Sequence, residues 1–457
     1  MRQLRAWVTD KGPEWWGWTI GVVVFGTLWY SVISLTKLAM FTTGLDLGIF
    51  NEAISALAHG RAPVSTIKGF TLFGDHFHPI IVLAVPFYWI WDGPATLLVL
   101  QSFALGLTGG IVTRGFGRLI GWNGVLLGYV LVASAAVQQA GRFEFHEVAF
   151  GAPILALAGV YFANKRYVAT MVAALAFLLV KEDAFLVSVG LGLALAWRRR
   201  WREAGITIGV SLGWTWLVVK VIIPALNPDG VWSYSEQLGL TDLVATSLRT
   251  LVRSLIWPGT ATLTALLMLA GVAFVGLRSP LIFSAAVPYL FRASVDNDKY
   301  WVLDFHYQLL TMVAIVIAAG DQLGRRAAPR FFREIVIALA AASMVVFPAW
   351  KTFSRLDPTF AGQAAEAVAQ VPDGARVAAA EALVARLSEN TRVSAIRPEN
   401  PLDGIGPRFD EVTYQLYDVR TPTWNGPQWS IDMMNEQLAA GFEQVWTNDR
   451  FVLLRRA

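Results

Sequence analysis

Five polar clusters interrupt an otherwise apolar chain, each built from residue types that move protons or hold charge. They are Asp46 with Glu52, His76-Phe77-His78, Glu144 to Glu147, Lys181-Glu182-Asp183, and Asp296 to His306. Asp46 sits in Gly44-Leu45-Asp46-Leu47-Gly48-Ile49-Phe50, where partial desolvation at a membrane surface would raise its pKa toward that of a useful general base. The alternative is a helix cap, since Asp is a preferred N-cap and Asn51 to His59 reads as a short amphipathic helix. Asn51 could cap that helix itself, which leaves Asp46 several residues ahead of it. His76 and His78 stand two apart, a spacing for an irregular or strand-like segment and not for one helix face. As a metal signal the pair is weak; substrate contact and capping of the segment begun by Pro79 are the two open readings.

Glu144 reads as a solvated loop residue, whereas His146 and Glu147 begin the next helix and are better placed for chemistry. Lys181-Glu182-Asp183 separates two apolar runs without the Gly or Pro of an ordinary hairpin tip, which favours a functional or ion-paired site. Arg292, Lys299 and His306 could neutralise a phosphate, because an oxyanion needs fixed donors in a dry setting. Tyr300 and Trp301 could stack on a sugar face or belong to an interfacial aromatic belt.

The elements that must position these groups are membrane helices. Of 457 residues, 55% are hydrophobic and only 15% charged, and the mean hydropathy is +0.50, a balance that defines a polytopic helical membrane protein. The net charge of +4 is concentrated in short loops and does not form a nucleic-acid-binding stripe. With no cysteine, disulfides, thiolate metal sites and cysteine nucleophiles are excluded. The first apolar stretch, Trp16 to Leu35, is a full span without a small-residue cleavage site, so it reads as a retained helix.

Arg2, Arg5 and Lys11 place the N-terminus in the cytoplasm, and Lys37 to His78 then falls outside. Ile80 to Trp91 has 12 residues and contains Pro86, so it reads as re-entrant or interfacial. Further spans follow near 94–113, 121–139, 147–163, 167–180, 184–197, 204–224, 257–277, 280–291, 302–319 and 332–350, about eleven in all. Those at 167–180, 184–197 and 280–291 are short enough to be half-helices. This threading puts Arg114, Lys165-Arg166, the Arg198 cluster, Arg278 and Arg325 inside, and all five polar clusters in 1–350 outside, many in the external loop 37–93. Residues 351–457 read as a soluble extracytoplasmic α/β domain. Its strands are expected at 375–379, 393–396, 411–417 and 451–455, with helices near 381–388 and 431–440.

The ordered motifs Phe41-Thr-Thr-Gly-Leu-Asp46-Leu-Gly-Ile-Phe-Asn51, His59-Gly60, His76-Phe77-His78-Pro79, Phe145-His146-Glu147 and Lys181-Glu182-Asp183 resemble the domain of unknown function 2079 family of membrane proteins. The layout is also similar to the GT-C glycosyltransferase superfamily, in which an acidic residue of the first external loop is catalytic. That resemblance implies an all-α, GT-C-like bundle in the plasma membrane with a polyprenyl-phosphate-linked sugar donor and an envelope glycan, lipid or protein acceptor. It puts Asp46 at the catalytic position, with Glu52, His76, His78, His146, Glu147, Lys181, Glu182, Asp183, Arg292, Lys299, Tyr300 and His306 toward substrate. The superfamily's usual acidic pair is not intact, because Asp46 stands alone with Glu52 six residues on, so a divalent cation is possible but not required. A transporter or lipid flippase, or a non-catalytic envelope assembly protein, is the alternative reading of the same clusters.

Overall fold

The computed structural model describes residues 13–235, 243–256, 259–398, 405–420 and 427–457. Arg2, Arg5 and Lys11, used above to orient the chain, lie outside them. Helices dominate up to Val346, and four of those described are long and apolar enough to cross a bilayer: Trp15–Ala39, Pro94–Ile120, Trp201–Leu226 and Phe332–Arg355. Two bent pairs bring this to six: Trp122–Ala133 with Ala135–Arg142 at 43°, and Leu248–Ile256 with Thr260–Ala270 at 59°. Shorter apolar helices cover Val148–Ala163, Tyr167–Leu179, Pro280–Ala293 and Leu309–Leu323, and Phe185–Trp197 adds 13 residues.

The first helix packs along Pro94–Ile120 through small residues. A Cβ on Gly26 would lie 2.8 Å from the Cα of Gly106, and one on Gly106 would lie 2.5 Å from the carbonyl oxygen of Val23. In lipid, where burial of apolar surface drives nothing, such close approach is what holds helices together. Ile80 to Trp91 does not form a continuous long helix: a 3₁₀ turn, Pro79–Ala84, runs into the single turn Val85–Tyr88. Trp89 and Ile90 remain 69% and 85% exposed.

The expected span at 302–319 begins only at Leu309. Residues 302–308 are irregular because Phe305 adopts φ 66°, and His306 and Tyr307 are drawn into ring contacts. The expected helix at Asn51 in fact starts at Leu45 and runs to Ala58, so Asp46 lies in its first turn. A two-residue ladder, β1 (Val64–Ser65) with β2 (Phe70–Thr71), follows it.

The C-terminal part carries a five-stranded sheet from β3 (Arg376–Ala380), β4 (Arg392–Ile396), β5 (Tyr414–Asp418), β6 (Phe442–Thr447) and β7 (Phe451–Arg456), in the order β4-β3-β5-β7-β6. β3 is parallel to β4 and β5, while β7 is antiparallel to β5 and β6. The Glu381–Leu387 helix makes the β3–β4 crossover and buries Leu383, Val384 and Ala385 against the Leu45–Ala58 helix. One apolar core thus joins Leu47, Phe50 and Ile54 to Val377, Leu383 and Leu416. The helix that carries Asp46 is common ground between bundle and sheet.

Candidate functional site

The local question at Asp46 is what satisfies the free N–H groups of its helix. The N-cap position is Gly44, which has no side chain to offer, and no side chain within the helix caps it either. Glu144 does so from 100 residues away: one carboxylate oxygen accepts from Gly44 N at 2.5 Å and the other from Leu47 N at 2.9 Å. The loop that delivers Glu144 is held by Gln101. Its amide donates to the carbonyls of Ala140 and Glu144, both at 3.1 Å, and its oxygen accepts from His146 N at 2.9 Å. Glu144 is therefore buried and structural, not solvated as its loop position suggested.

With capping assigned to Glu144, the Asp46 side chain turns into a cavity of about 670 Å³ between bundle and sheet and is 45% exposed to it. Its partner is His146 Nε2 at 3.4 Å. Burial, the largest influence, pushes the Asp46 carboxyl up, but His146, Lys68 and Lys181 together outweigh burial and hold the group below the usual carboxylate range. The expected rise in its pKa is thereby reversed. His146 is moved the other way: burial lowers it, and Asp46 and Glu147 together more than compensate, so its pKa lies above the usual value. His146 stacks on His306 with ring centroids 3.5 Å apart, and burial together with that charged neighbour keeps His306 well below the usual range.

Other charges at and beside the cavity come in opposed pairs. Lys68 meets Asp75 at 2.9 Å, Lys181 meets Glu147 at 3.6 Å, and His76 Nδ1 meets Glu182 at 2.5 Å, with Phe77 N also donating to Glu182. His76 also stacks on Tyr234 at 4.4 Å. His78 is fully enclosed, burial lowers it to about 4, and neither ring nitrogen has a hydrogen-bond partner among the described residues. Lys299, Tyr300, His306 and Tyr307 close one side, and Glu381, Ile396, Arg397 and Pro398 of the sheet form the roof.

Asp46, His76, His78, His146, Glu147, Lys181, Lys299, Tyr300 and His306 thus converge on one cavity. Glu182, Asp183 and Arg292 line a smaller adjoining space of about 110 Å³, where Arg292 donates to Thr311 Oγ1 at 2.6 Å. Glu52 does not join them. At about 100° per residue, six residues turn the helix about 240°, so Glu52 faces the sheet. Its carboxylate accepts from Ser65 Oγ at 2.9 Å, Thr66 N at 2.8 Å, Val393 N at 3.4 Å and the Thr66 hydroxyl. Asp296 pairs with Arg253 and is exposed.

No group of three or more His, Cys, Asp or Glu among the described residues is arranged to hold a metal ion. Of the carboxylates that line the cavity, Asp46, Asp75 and Glu147 are each matched to a Lys or His. Reading the sequence missed Glu144, Lys68 with Asp75, and Tyr234 and Tyr307. The available signal was a Lys isolated in Ile67-Lys68-Gly69; the alternation Phe143-Glu144-Phe145 by itself suggests an exposed Glu144, which is in fact buried.

This is a polytopic membrane protein with an acidic, histidine-rich cavity at one end of its helices, covered by a sheet. The chain belongs to the predicted membrane protein family DUF2079, whose profile matches residues 37–445. The fold is similar to that of ArnT from Cupriavidus metallidurans bound to undecaprenyl phosphate, with a TM-score of 0.55 at 12% identity over 95% of this chain and 98% of that one. ArnT in the apo state gives 0.54 at 11% identity over 93% and 97%. No curated protein matches significantly by sequence.

Proposed function

We propose that the chain is an integral membrane glycosyltransferase that moves a sugar from a polyprenyl-phosphate-linked donor to a cell-envelope acceptor. The observation that carries this reading is an ionised carboxylate, Asp46, relieved of capping by Glu144 and turned into a large cavity beside fixed cations. The likeness to a fold solved with undecaprenyl phosphate supports a lipid-linked donor.

Asp46 accepts the proton of an acceptor hydroxyl, with His146 holding the carboxylate in place. The freed oxygen forms a bond to the anomeric carbon from the face opposite the phosphate. The anomeric carbon–phosphate oxygen bond breaks, its electron pair leaves with the polyprenyl phosphate, and the centre inverts. Lys181 and Lys299 neutralise that phosphate, and Arg292 contributes from the adjoining space. His76, His78, Tyr300 and neutral His306 shape the sugar site, with Glu147, Glu182 and Asp183 fixing the cations and His76. In the membrane the N-terminus is cytoplasmic, residues 351–457 are extracytoplasmic, and the cavity opens outward, where lipid-linked sugars need no nucleotide site.

The test is transfer from a radiolabelled polyprenyl-phosphate sugar by Asp46→Asn in membranes. Loss of the base predicts a fall of roughly 10²–10⁴-fold with folding retained. Unchanged transfer would exclude Asp46 as the base.

A further inference from the structure

A second charged cavity, of about 490 Å³, lies behind the aromatic wall of the first. Phe143 and Phe305, whose rings meet edge to face at 5.2 Å, line both. Lys37, Arg142, Lys351 and Arg355 face this second space, with Asp304 as the single carboxylate among the described residues that line it. Gln139 occupies one oxygen of that carboxylate at 3.0 Å, and Lys37 Nζ donates to the Arg142 carbonyl at 2.8 Å. None of the four cations forms an ion pair among the described residues, in contrast to the matched charges of the central cavity.

Their place in the fold is informative. Lys37 is in the last turn of the first helix and Arg142 ends the Ala135–Arg142 helix. Lys351 and Arg355 belong to the 3₁₀ turn Ala349–Arg355, just past Phe332–Val346. All four therefore sit where apolar helices end, the level at which a bilayer carries its headgroups. From the same place an apolar groove of about 170 Å³ descends between the Thr260–Ala270, Leu309–Leu323 and Phe332–Val346 helices. Val346 and Phe347 line both the groove and the cationic cavity, so the two adjoin.

A cluster of unmatched cations above an apolar groove is complementary to one molecule, an amphiphile with an anionic head and a hydrocarbon tail. We propose that this is a binding site for an anionic glycerophospholipid. Its phosphate lies among Arg142, Lys351 and Arg355, where guanidinium groups can engage two oxygens at once. Part of one acyl chain enters the groove beside Ala342 and Val346. The site is separate from the one assigned to sugar transfer and does not rest on that assignment.

Native mass spectrometry of the full chain, titrated with phosphatidylglycerol or with phosphatidylcholine of the same acyl chains, reads the site directly. Phosphatidylglycerol should bind the more tightly. In the triple variant Arg142→Gln, Lys351→Gln, Arg355→Gln its affinity should fall about 100-fold, at about fivefold per charge near an anionic headgroup. Phosphatidylcholine affinity should change little. Ala342→Trp, which fills the groove from an exposed position, should weaken phosphatidylglycerol about tenfold with all four cations in place. Undiminished phosphatidylglycerol binding by the triple variant would overturn the site. Undiminished binding by Ala342→Trp would make it a site for a free anion. Displacement of phosphatidylglycerol by an equal concentration of farnesyl phosphate would assign it to prenyl lipids instead. Because no sugar transfer is measured, failure here leaves the role of Asp46 standing, and failure of that role leaves this one.

Discussion

Replacing Glu144 separates positioning from chemistry more cleanly than replacing Asp46 does. Glu144→Ala leaves Gly44 N and Leu47 N, now satisfied at 2.5 and 2.9 Å, without acceptors in a buried turn. Each orphaned donor costs about 1–3 kcal/mol, so the variant should lose about 2–6 kcal/mol and fray the turn that holds Asp46. Glu144→Gln restores one acceptor and should recover about half. The pH dependence gives a second readout. Burial, then the charge of Asp46, raises Glu144 from 4.5 to about 7 in the folded protein. The folded state therefore holds the proton more tightly than the unfolded one. This contribution is present below about pH 4.5 and is lost as pH rises toward 7, over a range worth about 3 kcal/mol. Chemical denaturation in detergent at pH 5 and pH 8, with sugar transfer measured on the same preparations, tests both. Glu144→Gln should flatten the pH dependence and lower transfer, whereas Asp46→Asn should lower transfer with little loss of stability. A Glu144→Ala protein with wild-type stability and an unchanged pH slope would refute the capping argument.

Three further outcomes are expected. His146→Phe keeps an aromatic ring for the stack on His306 but removes the positive charge, so burial then dominates Asp46 and its pKa rises; the acid limb of a transfer-against-pH profile should move to higher pH, and an unmoved limb would deny the pairing. Glu52→Ala strips the acceptor from Ser65, Thr66 and Val393, and should cost about 2–4 kcal/mol and speed proteolysis of the β1–β2 connection, without the large loss of transfer expected for Asp46→Asn. Since the chain has no cysteine, single cysteines at Arg61 and Asp92 should both react with an impermeant thiol reagent from outside; reaction at only one would mean that 80–91 crosses the bilayer.

The sequence readily reveals whatever depends on local pattern. Apolar length marks the helices, Pro86 in a short apolar run marks a segment that forms no long continuous helix, and the short apolar runs in Arg376–Ala380 and Arg392–Ile396 mark β3 and β4. Contacts across long separations leave no such trace. The start of the Leu45–Ala58 helix was misread because its cap comes from Glu144, so the residues around Gly44 carry no capping signal of their own. The edge strand β6 was overlooked because its exposed face mixes Glu443, Gln444 and Val445 around a bulge between Gln444 and Trp446, and alternation fails there. Glu52 resembles a catalytic partner on paper only because spacing along a chain does not reveal which way a helix has turned.

The Leu45–Ala58 helix works as a gauge between two parts of the molecule. Glu144 fixes its beginning, Glu52 fastens its middle to the sheet at Val393 and Asn51 to Ser388 at the end of the Glu381–Leu387 helix, and Asp46 lies between those anchors. A residue inserted or removed between Asp46 and Asn51 would swing one anchor about 100° relative to the other, turning Asp46 out of the cavity or Glu52 off the sheet. Loops around the cavity can vary in length without that penalty. This interval cannot, so the spacing from Gly44 to Glu52 should be the least elastic dimension of the whole chain.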